Sequence, residues 1–265
     1  MSKYMKHQIS IIIPILNEEA YIGKLLEHLL ANSSAKNISE IVVVDGGSID
    51  ESQNIVQSFV NFNKGHKEAY HYIDTSVLET KPTPKQVIKT QIKLLNSEKG
   101  RAKQMNLGAK TSTGNILYFL HADSLPPKHF DSLIINEVEK GNLAGCFRMQ
   151  FDCTHWWLSL ASWLTKFSWR ACRGGDQSQF ITKSLFNNIG GYDESYTIYE
   201  DNILINALFS RKQFVVINKK IRTSARLYKK HGIWKLQYHY WSIYVKRWFG
   251  ADANELYSYY KKKIF

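Results

Sequence analysis

Three breaks in the apolar pattern of this chain place acids where a ligand could meet them. Asn115–Pro126 reads NILYFLHADSLP, a β-prone run that stops at His121-Ala122-Asp123 before a Ser-Leu-Pro-Pro turn. A carboxylate held at the end of a buried strand can fix a divalent cation against a diphosphate, because hard cations prefer oxygen ligands. The plainer alternative is that Asp123 only starts the turn. Asp45-Gly46-Gly47-Ser48 ends a second run, and Asn17-Glu18 follows a third. Carboxylates there suit base N–H groups and ribose hydroxyls, and glycines let backbone approach a ligand. A glycine turn capped by Asp45 is the alternative.

Two further segments carry charge at predicted helix starts. Lys99–Asn106 puts Arg101 in a first helical turn, where the helix dipole prefers anions. Arg101 and Lys103 can bond a phosphate or a pyrimidine, or form a solvated basic face. Glu200-Asp201 opens a helix after Gly190-Gly191-Tyr192-Asp193. Such acids commonly cap helices, but one facing the cleft could take a proton from an attacking hydroxyl.

These positions need a scaffold. Ile9–Pro14 and Ile41–Val44 read as parallel strands buried on both faces. Asn17 is the expected N-cap of a helix over Glu18–Leu30, and Asp50 caps another to about Val60. Strand, helix, strand, helix is the opening of a doubly wound α/β sheet. Asn61–Thr90 is polar and reads as an insertion of weak structure. Further strands are expected at Gln91–Leu95, Asn115–Leu120, Ala144–Phe151, Asp176–Thr182 and Phe214–Asn218. Helices are expected at Lys99–Lys110, Lys128–Lys140, His155–Ala171, Ser184–Ile189 and Glu200–Arg211, then Ile233–Phe249 and Ala253–Lys263.

Composition narrows the function classes. At 265 residues, 44% hydrophobic and 22% charged, the chain can bury a substantial core. Its net charge of +12 implies anionic partners: nucleotide diphosphates, nucleic acid or an acidic membrane surface. Cys146, Cys153 and Cys172 fit neither a disulfide framework nor a zinc pattern, and read as free thiols of a reducing compartment. No signal peptide is expected, and Cys153–Thr165 is too short to span a bilayer. The expectation is a cytoplasmic protein, with seating at the inner membrane face left open. The G-x-G-x-x-G of dinucleotide folds is absent.

The segments ISIIIPILNEE, EIVVVDGGSID, KGRAKQMNLGA, ILYFLHADS, GGDQSQFITKSLFNNIGGYDE and YEDNILINAL, in that order, resemble the family 2 glycosyltransferases of the GT-A fold. The subgroup they resemble most is the selenodomain-associated, arsenosugar-biosynthesis type. The resemblance runs from about Ile9 to Arg226 and more loosely beyond. It implies a doubly wound, mixed but mainly parallel sheet over residues 1–226, with a helical extension over 227–265 packed on the same domain. It also implies that Pro14, Asn17, Glu18, Asp45 and Gly46 hold the nucleoside of a nucleotide-sugar, with Arg101 near its base and phosphates. Asp123 matches the last Asp of the metal-binding D-x-D motif, for Mg²⁺ or Mn²⁺. Asp201, with Glu200 beside it, matches the base of inverting members. Gly174, Gly175, Asp176 and Gln177 match a loop lining the donor-sugar and acceptor pocket, to which Arg226 also belongs.

The chain departs from the family twice. The usual D-D-G-S reads Asp45-Gly46-Gly47-Ser48, one acid short, and D-x-D reads His121-Ala122-Asp123, leaving one carboxylate and an imidazole. That subgroup commonly has the H-A-D form.

The resulting expectation is sugar transfer from a nucleoside diphosphate, UDP foremost, to an acceptor hydroxyl on a lipid, small metabolite or glycan. The rivals are a nucleotidyltransferase, whose glycine-rich basic signature is absent near the first strand, and a non-catalytic basic scaffold. Trp156, Trp163, Trp234, Trp241 and Trp248 lie among aromatics and cations that suit an anionic membrane surface, an acceptor pocket or plain core packing. Nucleic acid is not the expected partner, because acidic strand ends repel phosphates.

Overall fold

The computed structural model describes residues 6–63 and 90–264. Among them, strands Ile9–Ile15 (β1), Ile38–Asp45 (β2), Gln91–Asn96 (β3) and Ile116–Phe119 (β4) form the parallel half of the sheet, in the order β3-β2-β1-β4. Alternation of side chains explains the two layers around them. Ile9, Ile11, Ile13 and Ile15 join one core cluster with helices Glu19–Asn32 (α1) and Ser52–Asn63 (α2). Ile12 faces the other way, onto helix Arg101–Thr111 (α3). Burial on both faces is why these strands read as unbroken apolar runs.

The strand order reverses between β1 and β4, so the carboxyl ends of β1, β2 and β4 form a topological switch point. Pro14 sits beyond the β4 pairing, which ends at Ile12 opposite Phe119. A strand can lack a ladder donor there at little cost.

The second half of the sheet is mixed. Ser124–Leu125 (β5), Ala144–Phe151 (β6), Gln179–Thr182 (β7) and Val215–Thr223 (β8) continue the sheet as β4-β7-β6-β8-β5. β7 is antiparallel to β4 and β6, while β6 and β8 run parallel. Phe130–Glu139 (α4) covers the α1 face, and Lys183–Ile189 (α6) and Glu200–Ser210 (α7) cover the α3 face. Trp156–Leu164 (α5), Arg226–His231 (α8), Ile233–Trp248 (α9) and Ala253–Lys263 (α10) complete the helices described. α9 and α10 pack through Leu236, Ile243 and Leu256 against Tyr196, Tyr199 and Ile203, next to the start of α7.

Several expectations need correction. The helix expected over His155–Ala171 ends at Leu164, and a 3-10 turn covers Arg170–Cys172. A buried guanidinium sets this reversal: Arg173 donates to the carbonyls of Thr165 (2.8 Å) and Phe167 (2.7 Å). The strand expected from Asp176 begins at Gln179, because Gly175–Gln177 forms another 3-10 turn. Asn17 is not the N-cap of α1; that position is Glu18, and Asn17 has a left-handed φ of 55°. β5 and α8 were not anticipated. The expected insertion over Asn61–Thr90 falls mostly on residues outside the described ones, and α2 takes its first three positions.

Candidate active site

Each strand end at the switch point delivers a polar group into one region. Asp45 closes β2 almost fully buried. Its Oδ2 accepts from the N–H groups of Gly47 (2.9 Å) and Ser48 (3.0 Å) and from Gln53 Nε2 (2.7 Å). Its Oδ1 is buried with no partner among the described residues. A buried acceptor left open in this way is uncommon, and a water or a ligand donor would satisfy it. Gly46 lies against Gln104, whose amide would stand 3.0 Å from any added Cβ. That amide bonds the carbonyls of Ile15 and Val44 at 2.8 Å, locking α3 to the ends of β1 and β2.

The turn after β1 interlocks with the turn after β2. Asn17 N–H donates to Ser48 Oγ, and Asn17 Oδ1 accepts from Ile49 N–H, both at 2.9 Å. Glu18 N–H donates to Ser52 Oγ at 2.8 Å. The Glu18 carboxylate takes a two-pronged pair from Arg226, at 2.7 and 2.6 Å. Arg226 Nε also lies 3.1 Å from Asp123 Oδ2, and its guanidinium sits 4.7 Å above the Tyr21 ring. One arginine therefore joins two of the expected acids.

Asp123 stands just before β5. Burial lifts its carboxyl above the ordinary aspartate range, with His121 and Arg226 opposing. His121 Nδ1 lies 3.5 Å from Asp176 Oδ1, so the 3-10 turn brings Asp176 beside the strand end. Among the described residues no three His, Cys, Asp or Glu side chains form a self-sufficient metal cage. The donors nevertheless fit a Mg²⁺-like ion, which is commonly held by one or two carboxylates and completed by substrate phosphates. Asp123 and Asp176 offer the oxygens, and His121, two residues before Asp123, pairs with Asp176.

The start of α7 closes the cleft. Glu200 is fully buried; its Oε1 lies 3.3 Å from Arg101 Nη1, and its Oε2 has no partner among the described residues. Burial raises its carboxyl above the ordinary glutamate range, against the pull of Arg101. Asp201 is only partly buried. Its Oδ1 accepts from Asn202 N–H (2.7 Å), and its Oδ2 accepts from Gly175 N–H. A Cβ at Gly175 would come within 2.8 Å of Asp201 Oδ2 and 3.1 Å of His121 Cε1, so only glycine leaves room there. Gly174 adjoins the same oxygen. Glu200, Asp201, His121 and Gly175 line one narrow cavity with Tyr192 and Gln179, whose Nε2 is also buried and without a partner among the described residues.

Gln177 does not join them. Its side chain is buried, donating to Cys172 O (2.5 Å) and accepting from Arg173 Nη1 (2.6 Å), so it braces the loop from behind. Arg101 meets Glu200, which ties the expected phosphate-side helix to the expected base helix.

Sequence reasoning passed over Gln53, Ser52, Tyr21, Tyr192 and Gln179. Gln53 and Ser52 had a readable signal, being polar groups in a first helical turn just after a strand-end acid. Gln179 had none, since it opens a buried strand.

The family model for Glycosyl transferase family 2 matches residues 10–214. The chain belongs to that family. A protein of Bacillus subtilis (strain 168) named Probable glycosyltransferase YdaM is 24% identical over 206 residues, covering 71% of this chain and 43% of the relative. The undecaprenyl-phosphate 4-deoxy-4-formamido-L-arabinose transferase of Proteus mirabilis (strain HI4320) is 23% identical over 231 residues, covering 85% and 59%. The chain thus spans about half the length of these curated relatives. Among solved structures, the mannosyltransferase PcManGT of Pyrobaculum calidifontis, in complex with GDP-Man and Mn²⁺, matches with a TM-score of 0.64 at 14% identity. That match covers 97% of this chain and 70% of the other. S. aureus TarS 1-349 in complex with UDP matches at 0.60 and 16% identity, covering 82% and 60%. The family 2 chain accordingly has the GT-A fold, with a mixed sheet flanked by helices.

Proposed function

We propose that this chain transfers a sugar from a nucleoside diphosphate, UDP foremost, to an acceptor oxygen, with inversion at the anomeric carbon. The observation that carries the reading is the meeting of Glu18, Asp45, Asp123 and Asp201 from four separate segments, with buried open valences at Asp45, Glu200 and Gln179. Asp45, Gly46 and Asn17 hold the nucleoside, with Pro14 and Glu18 shaping its floor. Arg101 and Arg226 face the diphosphate. Asp123, with Asp176 and His121 beside it, would hold Mg²⁺ or Mn²⁺. Such an ion, when bound, supplies positive charge to a departing diphosphate.

Asp201 is the acid assigned to take the acceptor proton. Glu200 is fully buried and occupied with Arg101, whereas Asp201 is reachable and aimed by two backbone N–H groups. A base must come within hydrogen-bond reach of the proton it removes. Gly174 and Gly175 leave the space in which acceptor and donor sugar meet.

The order of motifs supports a place in the selenodomain-associated, arsenosugar-type subgroup. The undecaprenyl-phosphate named for the Proteus relative supports a lipid-borne acceptor. The exposed Trp156, Trp234 and Trp241, with Lys235 nearby, support work at an anionic membrane surface. No helix among the described residues is long and apolar enough to cross a membrane.

A thermal-shift panel of UDP-, GDP- and dTDP-sugars, with and without Mn²⁺, tests the donor. A metal-enhanced shift with one nucleotide class is expected, and no shift with any donor sinks the reading. Release of nucleoside diphosphate, rather than pyrophosphate, separates sugar transfer from nucleotidyl transfer.

A further inference from the structure

We propose a second binding site, for a phosphoryl group, beneath α5 and outside the cleft just described. Arg148 on β6 stands directly opposite Lys220 on β8, after a register shift that falls between Phe147 and Arg148. Two like charges at facing positions of neighbouring strands repel unless an anion sits between them. The two cations line a cavity of about 160 Å³ together with Gln150, Ser159, Ser162 and Trp163. That is several times the roughly 30 Å³ share of one water molecule, so a tetrahedral anion has room. Among the described residues no acidic one lines this cavity.

The guanidinium carries the second observation. Arg148 Nη1 donates to Asn218 Oδ1 at 2.7 Å, which fixes the plane of the group. Its Nε is buried and has no partner among the described residues. Open buried valences of the same kind mark the donor cleft at Asp45, Gln179 and Glu200. Here the open group is a donor, so the missing ligand is an acceptor. An arginine fork with a nearby lysine is the pairing that phosphate oxygens favour, one giving geometry and the other charge. Ser159 can add a hydroxyl donor. Phosphate of this description is found free or as the head of a lipid, and Leu160 and Trp163, both exposed on α5, give the cavity an apolar margin that either source could meet.

Binding measurements on the full chain separate these outcomes. Inorganic phosphate is titrated by calorimetry. Vesicles of phosphatidylcholine, with and without phosphatidic acid, are tested by co-sedimentation. Arg148→Gln and Lys220→Gln are compared with Lys219→Gln, an equal loss of charge on the adjacent residue, which does not line the cavity. Roughly tenfold or greater weakening is expected in the first two and none in the third, as for loss of one charged hydrogen bond. Weakening towards inorganic phosphate assigns a free phosphate; weakening confined to phosphatidic acid vesicles assigns a lipid head. Equal effects of all three variants, or wild-type protein that binds neither probe, overturns the site. If Arg148→Gln does not fold, Lys220→Gln alone decides, since Lys220 is exposed. Unchanged thermal shifts with nucleotide-sugars in these variants keep this test separate from that of the transfer reaction.

Discussion

Asp201 and Glu200 are neighbours in sequence with opposite surroundings, and that contrast makes them separable by experiment. Asp201→Asn keeps the acceptor oxygen for Asn202 N–H but cannot accept a proton at neutral pH. Turnover with a hydroxyl acceptor, read by nucleoside diphosphate release, should fall roughly a hundredfold or more, while the melting temperature drops only slightly, for loss of the bond from Gly175 N–H. A phosphate acceptor is already ionised, so full activity of Asp201→Asn on a lipid phosphate would identify that class instead. Glu200 behaves differently. Its folded-state carboxyl titrates above the ordinary value of 4.5 because it is buried. Protonation therefore favours the fold: this contribution is complete below the unfolded value and disappears as pH rises through the raised one. Glu200→Gln should match wild type in melting temperature near pH 4 and gain on it progressively above the ordinary glutamate range. A wild-type advantage that grows with pH would show that the Arg101 pair outweighs burial. Of these two residues the sequence revealed the position but not the contrast, because burial at a helix start depends on what packs over it.

Among elements, α3 shows how the cleft is set. Gly108 lies where a Cβ would come within 2.5 Å of Ile12 Cγ2 and 3.3 Å of Val44 Cγ2. Its smallness lets α3 lie close on β1 and β2 and brings Gln104 and Arg101 to the strand ends. Gly108→Val should cost about 1–3 kcal/mol by overpacking, measured by denaturant unfolding, and should weaken nucleotide binding as well. Unchanged stability would mean that α3 can shift without cost. Strands β1 to β4 and helices α1 to α4 were legible because β-branched runs and helical spacing are local signals. The turns at Gly175–Gln177 and Arg170–Cys172 were not. They follow from buried Arg173 gathering the carbonyls of Thr165 and Phe167 and the amide of Gln177, a network that no local pattern announces. The aromatic segment over residues 155–171 looked helical throughout for the same reason.

For the molecule as a whole, charge and exposed aromatics act together. A net charge of +12 draws the chain to anionic surfaces. Trp156, Trp157, Trp234 and Trp241 gather from α5 and α9, with ring centroids 5.4–5.8 Å apart, and three of the four are exposed. Co-sedimentation with phosphatidylglycerol vesicles should be strong at low ionic strength and fall as salt approaches roughly 0.5 M, where the Debye length is only a few ångströms. Trp234→Ala with Trp241→Ala should weaken it further at every salt concentration. Binding indifferent to both would place these rings in acceptor recognition or simple packing. The sequence showed this mixture of rings and cations, but not that α5 and α9 would meet, since 60 or more intervening residues fold between them.

The clamp between Glu18 and Arg226 joins positions 208 residues apart. Closing so long a loop carries an entropic cost that only late, co-operative packing can repay. The first turn of the sheet can form early, but Glu18, like Asp123, stays without Arg226 until the chain beyond β8 has arrived. Nucleotide-binding competence should therefore be among the last properties acquired during folding, after the core of β1, β2 and β4 has already closed.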